Sequence, residues 1–295
     1  MSIKLGALDF SPVTAGITPA DALWESIELS KALDALGYSR FWIAEHHSKG
    51  VAHSCPEILI PIIAGVTSRI RVGSAGILLR MYSPLKVAKT FRLLHAIYPR
   101  RIDLGIARGS APEAEKQLMV RPAEVDFDSK TAELIGYLRG SRQVVVNPQR
   151  VAPPEIWMLG SNTKSMQLAA LHGTAFCFAH MLEPQTDMCA ILETYRRTFV
   201  PSTQLSSPKW SIALAGICAS NLQEAQSQLS SDYPIKFQPV VLGSPSECAR
   251  ILREIAKRTE TDEFIFADLS SNAEKRLRSY TMLAQEVLMP CGEAQ

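Results

Sequence analysis

Residues 70–107 read IRVGSAGILLRMYSPLKVAKTFRLLHAIYPRRIDLGIA. The stretch opens on an apolar, β-rich run, 70–79, interrupted by the small residues Ser74, Ala75 and Gly76. The period then changes: Val87, Phe91 and Leu94 recur at three- and four-residue spacing, which predicts a helix over 85–96. Ser83 followed by Pro84 supplies the capping residue and first-turn proline that open such a helix. A second apolar run predicts a strand over 101–107. One β-then-α repeat is therefore legible from this segment alone.

The same alternation extends to both ends of the chain. Strands are predicted over 3–9, 40–44, 70–79, 101–107, 155–160, 174–179, 210–218 and 263–267. Helices are predicted over 20–36, 57–66, 85–96, 128–138, 163–171, 187–198, 222–229 and 273–286, with an additional one at 245–257 before the last strand. Thr18-Pro19 repeats the Ser83-Pro84 signal, and Gly37 stands where the first helix should stop. Eight strands alternating with helices form either a doubly wound open sheet or a closed barrel. Neither a G-x-G-x-x-G pattern after an early strand nor a Walker phosphate loop occurs in the chain, so a single-domain (β/α)8 barrel is the expectation. A chain of 295 residues, 46% of them apolar, has the material for one such unit.

In a barrel of this kind the chemistry sits where the strands end. The residues there are Asp9; Glu45, His46 and His47; Ala75 and Gly76; Arg108 and Gly109; and Gly160, Ser161 and Asn162. Side chains alternate along a strand, so one of the two histidines faces the barrel mouth and the other packs outward. An imidazole beside a carboxylate can act as an acid or base near neutral pH, or the tripeptide can be a capped strand end with one buried and one solvated histidine. Ser74-Ala75-Gly76 is either a bulge approached by something flat or a run of small residues that fits an interior layer. Arg108 puts a permanent cation at the mouth. The run from Gly160 through Ser161 and Asn162 to Ser165 opens a helix directly after a strand. That helix start is either a phosphate cradle or an ordinary N-cap, which needs only one of its hydroxyls.

Lys and Arg total 31 against 29 for Asp and Glu, with no long run of like charge, which argues against nucleic-acid or membrane partners and for a small-molecule one. Six cysteines without a Cys-x-x-Cys pair read as buried free thiols in a reducing compartment, and no zinc or other metal site is expected. No secretory leader or uninterrupted apolar span is apparent, so a cytoplasmic protein is expected.

The chain resembles the luciferase-like flavin monooxygenases. The matching segments are RFWIAEHH (40–47), TSRIRVGSAG (67–76), YSPLKVA (82–88), YPRRIDLGIAR (98–108), LGSN (159–162), DEF (262–264) and RLRSY (276–280), in family order. The resemblance implies a barrel over 1–290 with a short tail at 291–295. It implies reduced FMN supplied by a separate flavin reductase, molecular oxygen as co-substrate, and oxygenation of a small organic substrate through a C4a-(hydro)peroxyflavin. By the same carry-over, Ala75 and Gly76 lie beneath the isoalloxazine, on a bulge whose peptide can be cis. Arg108 and the helix start with Gly160, Ser161, Asn162 and Ser165 hold the phosphate. His46, rather than His47, lines the reaction cavity as the catalytic residue. Dimerisation is a further expectation of the family. Two departures stand out: Ala107 replaces the reactive cysteine of bacterial luciferase, and 120–154 is shorter than in many relatives. A deazaflavin-dependent hydride-transfer enzyme of the same fold and a non-catalytic flavin-binding protein are the alternatives.

Overall fold

Side chains along the strands alternate between two apolar surroundings, the pattern of a sheet covered on both faces. Along Arg40–Ile43, Phe41 and Ile43 join one buried cluster while Trp42 joins another. Along Glu263–Asp268, Phe264 and Phe266 join the first and Ile265 and Ala267 the second. The first cluster lies between strands and helices; the second fills the space the strands enclose.

The computed structural model describes residues 2–109, 111–119, 126–229, 237–270 and 272–289. The elements are β1 (Lys4–Asp9), α1 (Pro19–Ala35), β2 (Arg40–Ile43), α2 (Pro56–Val66), β3 (Arg71–Ser74), β4 (Ile77–Leu78), α3 (Pro84–Ile97), β5 (Ile102–Ala107), α4 (Glu113–Met119) and α5 (Phe127–Arg139). They continue with β6 (Glu155–Gly160), α6 (Thr163–His172), β7 (Ala175–Ala179), α7 (Met188–Thr198), β8 (Trp210–Cys218), α8 (Leu222–Ser227), β9 (Val241–Gly243), α9 (Pro245–Thr259), β10 (Glu263–Asp268) and α10 (Ala273–Val287). Every strand pairing is parallel. The order β10-β1-β2-β3-β5-β6-β7-β8 is closed by pairing of β10 with β8. β3 and β4 together form one interrupted stave, so the ring has eight staves, and β9 is appended to the end of β8. The expected single-domain (β/α)8 barrel is present.

The helix signals operate as read. Thr18 accepts from the Asp21 amide in a full capping box with Pro19 in the first turn, and Ser83 accepts from the Lys86 amide. Three expectations need correction. The strand at 70–79 is two pieces plus a short 3₁₀ turn at Leu79–Met81, the helix at 222–229 ends at Ser227, and β9 and α4 were not anticipated. The cysteines are free among the described residues, but only Cys177, Cys218 and Cys248 are buried; Cys55 is exposed and Cys189 partly so. The tail at 291–295, with Cys291, and the first residues of the 120–154 segment lie outside the described residues. Among those described, no helix is long and apolar enough to cross a membrane, and no group of His, Cys, Asp and Glu could hold a metal.

The strand starts carry a buried ionic layer that fills one end of the barrel. Arg40 donates to Asp103 at 2.5 Å, Glu263 at 2.7 Å and Glu155 at 3.1 Å. Arg71 also binds Asp103, and Lys209 reaches Glu155 at 2.8 Å. Above this layer stand Trp42 and Trp157, both fully buried, whose ring nitrogens donate to Asp103 and Glu155. Gly6 and Gly73 make room: a Cβ on Gly73 would lie 2.6 Å from Asp103 Cβ, and one on Gly6 3.2 Å from Arg40 Cβ. Burial opposes ionisation of Asp103, but Arg40 and Arg71 outweigh it and hold the carboxyl below the ordinary aspartate range. A depressed folded-state pKa contributes stability that is present above the unfolded value and lost as pH falls through the folded one. Asp103→Asn should therefore cost about 3 kcal/mol at neutral pH, since it leaves buried cations uncompensated. The deficit relative to the parent should shrink on acidification, and urea melts at pH 7 and pH 3.5 check both statements.

Candidate active site

At the opposite end of the barrel the strands open into a cavity of about 470 Å³. The eight residues given site roles by the resemblance all line it: His46, Ala75, Gly76, Arg108, Gly160, Ser161, Asn162 and Ser165. They arrive from β2, the break between β3 and β4, the end of β5, and the turn from β6 into α6. The rest of the wall is mainly apolar, with Phe10, Met181 and Phe237 at the mouth and Trp42 and Cys177 deeper.

The end of β2 separates the two histidines. Trp42, Ala44 and His46 share the inward parity and all line the cavity, whereas His47 does not. Glu45 is also part of the wall, yet its carboxylate is engaged. It accepts from Leu78 N at 2.9 Å, from Tyr82 Oη at 2.7 Å and from His47 Nε2 at 2.9 Å. The carboxylate–imidazole pair therefore involves His47, not His46, and His47 is no solvated residue: its side chain is 5% exposed. His46 meets the Phe10 ring edge-on at 6.3 Å, and its Nδ1 is buried with no hydrogen-bond partner in the structure. Burial, and secondarily the neighbouring His47, lower the pKa of His46, so it is neutral at pH 7. Burial raises the pKa of Glu45 against the opposing effect of its three donors.

Between β3 and β4 the expected bulge is present, and the Ala75–Gly76 peptide is cis. Ala75 N donates to Ile43 O at 2.8 Å and Ser74 Oγ to Gly105 O at 2.9 Å. The small residues answer to packing as well as to the cavity. A Cβ on Gly105 would stand 2.0 Å from Ser74 O, and one on Gly76 would stand 3.0 Å from the Gly105 backbone. Gly76 is thus required by the approach of the bulge to β5, while Ala75 and Gly76 both contribute to the cavity wall.

Arg108 lies at the rim, 47% exposed, with its guanidinium 3.5 Å from Asp128 and over the Phe127 ring. Lys164 in the first turn of α6 reaches the other oxygen of Asp128 at 3.2 Å. Two cations thus share the Asp128 carboxylate, with Asp126 close enough for both to lower its pKa, so cations and carboxylates meet at the rim. The cap of α6 is the Asn162 side chain, which accepts from the Ser165 amide at 3.1 Å, so no hydroxyl is used for the purpose. Gly160 allows Ser165 to close over it, since a Cβ there would meet Ser165 Oγ at 2.2 Å.

One strand-end residue turns away from the mouth. Asp9 is buried outside the barrel wall, accepting from Ser11 N at 3.0 Å, Ser26 Oγ at 2.5 Å and Arg276 at 3.3 Å. The wall residues not singled out from sequence include Phe10, Met181 and Phe237. Phe10 sits one position beyond Asp9 and so has the inward parity, a signal available in the sequence; Phe237 lies on a connection and offered none.

The family model for luciferase-like monooxygenases matches residues 3–286. The chain belongs to the luciferase-like monooxygenase family. It is 30% identical to the N-acetyl-S-alkylcysteine monooxygenase of Bacillus subtilis, over 97% of this chain and 98% of that one. Among solved structures it is similar to apo-MsnO8, at 34% identity and a TM-score of 0.87, covering 97% of this chain and 98% of that chain. Two more distant proteins share the fold. The oxygenating constituent of 3,6-diketocamphane monooxygenase from Pseudomonas putida, solved with FMN, aligns at a TM-score of 0.74 and 17% identity over all of both chains. An F420-dependent secondary alcohol dehydrogenase aligns at 0.68 and 14% over 97% of this chain and 99% of that one. The position of His46 in this luciferase-like barrel generates one expectation: its imidazole signals should titrate below the ordinary histidine value of about 6.5. A midpoint at or above that value in a side-chain NMR titration, with His46→Gln used for assignment, would contradict the buried, neutral ring.

Proposed function

We propose that this chain is the oxygenating component of a two-component flavin monooxygenase, which takes reduced FMN from a separate flavin reductase and uses molecular oxygen to oxygenate a small organic substrate. The observation that carries the reading is the division of the cavity. A rim carrying the Arg108 and Lys164 side chains and a helix start stand beside the bulge on one side, and an apolar wall stands on the other. These features fit FMN. Arg108, Lys164 and the α6 N-terminus with Ser161 and Ser165 would hold the phosphate, where peptide dipoles and cations favour an anion. Ala75 and Gly76 would lie under the ring. When bound, reduced FMN supplies the electrons for oxygen activation.

This chain's residues then bind, exclude water and manage a proton. The apolar wall keeps water from the reacting centre and holds the substrate against it. His46, neutral and on the cavity wall, can donate or accept one hydrogen bond, or pass a proton, inside a volume that otherwise offers few polar groups. Glu45 is a positioning residue: through Leu78 N and Tyr82 it joins the end of β2 to β4 and so fixes the bulge beside His46.

Arg108→Ala should weaken FMN binding by about 1.5 kcal/mol, the low end for a charge-assisted contact because the side chain is half in solvent. Riboflavin, which lacks the phosphate, should respond little; flavin-fluorescence titrations of both ligands decide, and equal losses refute the phosphate assignment. Including a deazaflavin coenzyme in the same series tests the cofactor: preference for it over FMN overturns the reading. Oxygen consumption on adding reduced FMN with substrate separates an enzyme from a flavin-binding protein. We place the enzyme in the cytoplasm, where a reductase can supply the flavin.

A homodimer is part of the proposal. Ile58, Ile62 and Val66 form an exposed row on α2, beside the exposed Leu93 and Ile97 of α3. Two adjacent helices presenting five large apolar side chains match a surface covered by a second copy. Ile62→Glu combined with Ile97→Glu should shift the sedimentation coefficient from dimer to monomer. A parent protein already monomeric at about 50 μM would remove the proposal.

A further inference from the structure

The apolar side of the cavity indicates what the protein acts on, an inference that rests on the flavin reading above. In a ring of eight staves ordered β10-β1-β2-β3-β5-β6-β7-β8, β10 and β1 stand across from β5 and β6. Arg108 and the α6 start belong to the β5–β6 side. With FMN anchored there and laid over the bulge, the remaining space lies against β10, β1 and β2. Its wall is Ile265, Leu8, Phe10 and His46, completed by Phe237 and Met181. The Phe10 and Phe237 rings pack at 5.3 Å, so the two aromatic residues act as one surface.

Charge is what the described residues of this wall lack. Among the described residues lining the cavity the one fixed cation is Arg108, on the far side. The other ionisable groups cannot balance an anion. Glu45 is a carboxylate already held by Leu78, Tyr82 and His47; burial lowers the His46 pKa so that the ring is neutral; burial pushes the Cys177 thiol up to about 12. An anionic substrate group placed here would lose its hydration without a cation or a set of donors in return. A neutral oxygen needs much less, and the neutral His46 imidazole on the cavity wall can satisfy it with a single hydrogen bond.

We propose that the substrate is an uncharged, predominantly hydrocarbon molecule carrying one hydroxyl or carbonyl oxygen that meets His46, and that Phe10, Phe237 and Met181 set this preference. Carboxylates, phosphates and sulfonates of the same shape are disfavoured because no described residue of this wall supplies a cation, rather than by size.

The test uses 2-acetylnaphthalene and 2-naphthoate, which share a ring system and differ mainly in charge. Isothermal titration of the FMN-loaded protein should give at least about tenfold tighter binding of the ketone. Phe237→Ala should weaken the ketone about fivefold, the scale of one lost aromatic contact, while leaving FMN affinity as in the parent. Met181→Lys should bring the carboxylate level with the ketone or above it. Should that variant fail to fold, Phe237→Arg on the half-buried connection tests the same added charge. Equal or tighter binding of 2-naphthoate by the parent overturns the proposal, as does an unchanged ketone affinity in Phe237→Ala. Flavin fluorescence in the same samples keeps the two readings apart. FMN binding without the ketone preference defeats the substrate class alone, whereas the ketone preference without FMN binding defeats the cofactor reading and leaves the apolar subsite standing.

Discussion

Arg40 is the contact on which the rest of the barrel depends. Its guanidinium, 4% exposed, satisfies carboxylates from three other strands, Asp103, Glu155 and Glu263, and lies 4.7 Å from the centre of the Trp157 ring. A guanidinium suits this position because its five donors are fixed in a plane and it stays charged at any working pH. The buried charges compensate one another: Arg71 and Lys209 bind the same carboxylates, and the two indole nitrogens take up further oxygen lone pairs. Removing one member would leave the others exposed to a low-dielectric interior, which is why the layer holds as a unit.

This layer also decides where a ligand can go. With charged side chains and two tryptophans filling the barrel from the strand starts upward, the enclosed volume that stays open lies above them, at the strand ends. There the inward positions are mostly small: Ala44, Ala75, Ala107, Ala179 and Ala213 all reach the cavity. Large residues below and small ones above convert a packed interior into a cup. The wall of the cup is mainly apolar because, above the ionic layer, the inward positions at these strand ends are mostly apolar.

How much of this was legible in the sequence depended on the range of the signal. Strand and helix periods, caps and the small-residue break at Ser74-Ala75-Gly76 are local and point to the right staves, while the eight residues given site roles by the resemblance all come to line one cavity. The ionic layer was not legible, because Arg40 and Glu263 are 223 positions apart and each looks like an ordinary polar strand start. Asp9 was placed in the mouth by position alone. Parity turns it outward to Ser26 and Arg276, and only the packing of α1 and α10 reveals the partners that make a buried aspartate tolerable there. β9 was missed because three residues carry too little alternation to register, and Phe237 because its place in the wall depends on a connection rather than on a strand.

The segment Glu45-His46-His47 shows what a tripeptide signature contains once geometry separates its members. Pairing of Glu45 with His46 would have favoured the charged imidazole and attached it to the wall. The carboxylate instead takes His47, Tyr82 and the Leu78 amide, all directed toward the β4 side, so its charge is consumed in joining β2 to the bulge. His46 is thereby left without an ionic partner, and burial beside Phe10 keeps it neutral. A neutral ring adds a hydrogen-bonding group to the cavity without adding a charge that would draw water into it. The three adjacent residues therefore serve two separate ends, one fixing the backbone that shapes the site and the other facing what the site binds.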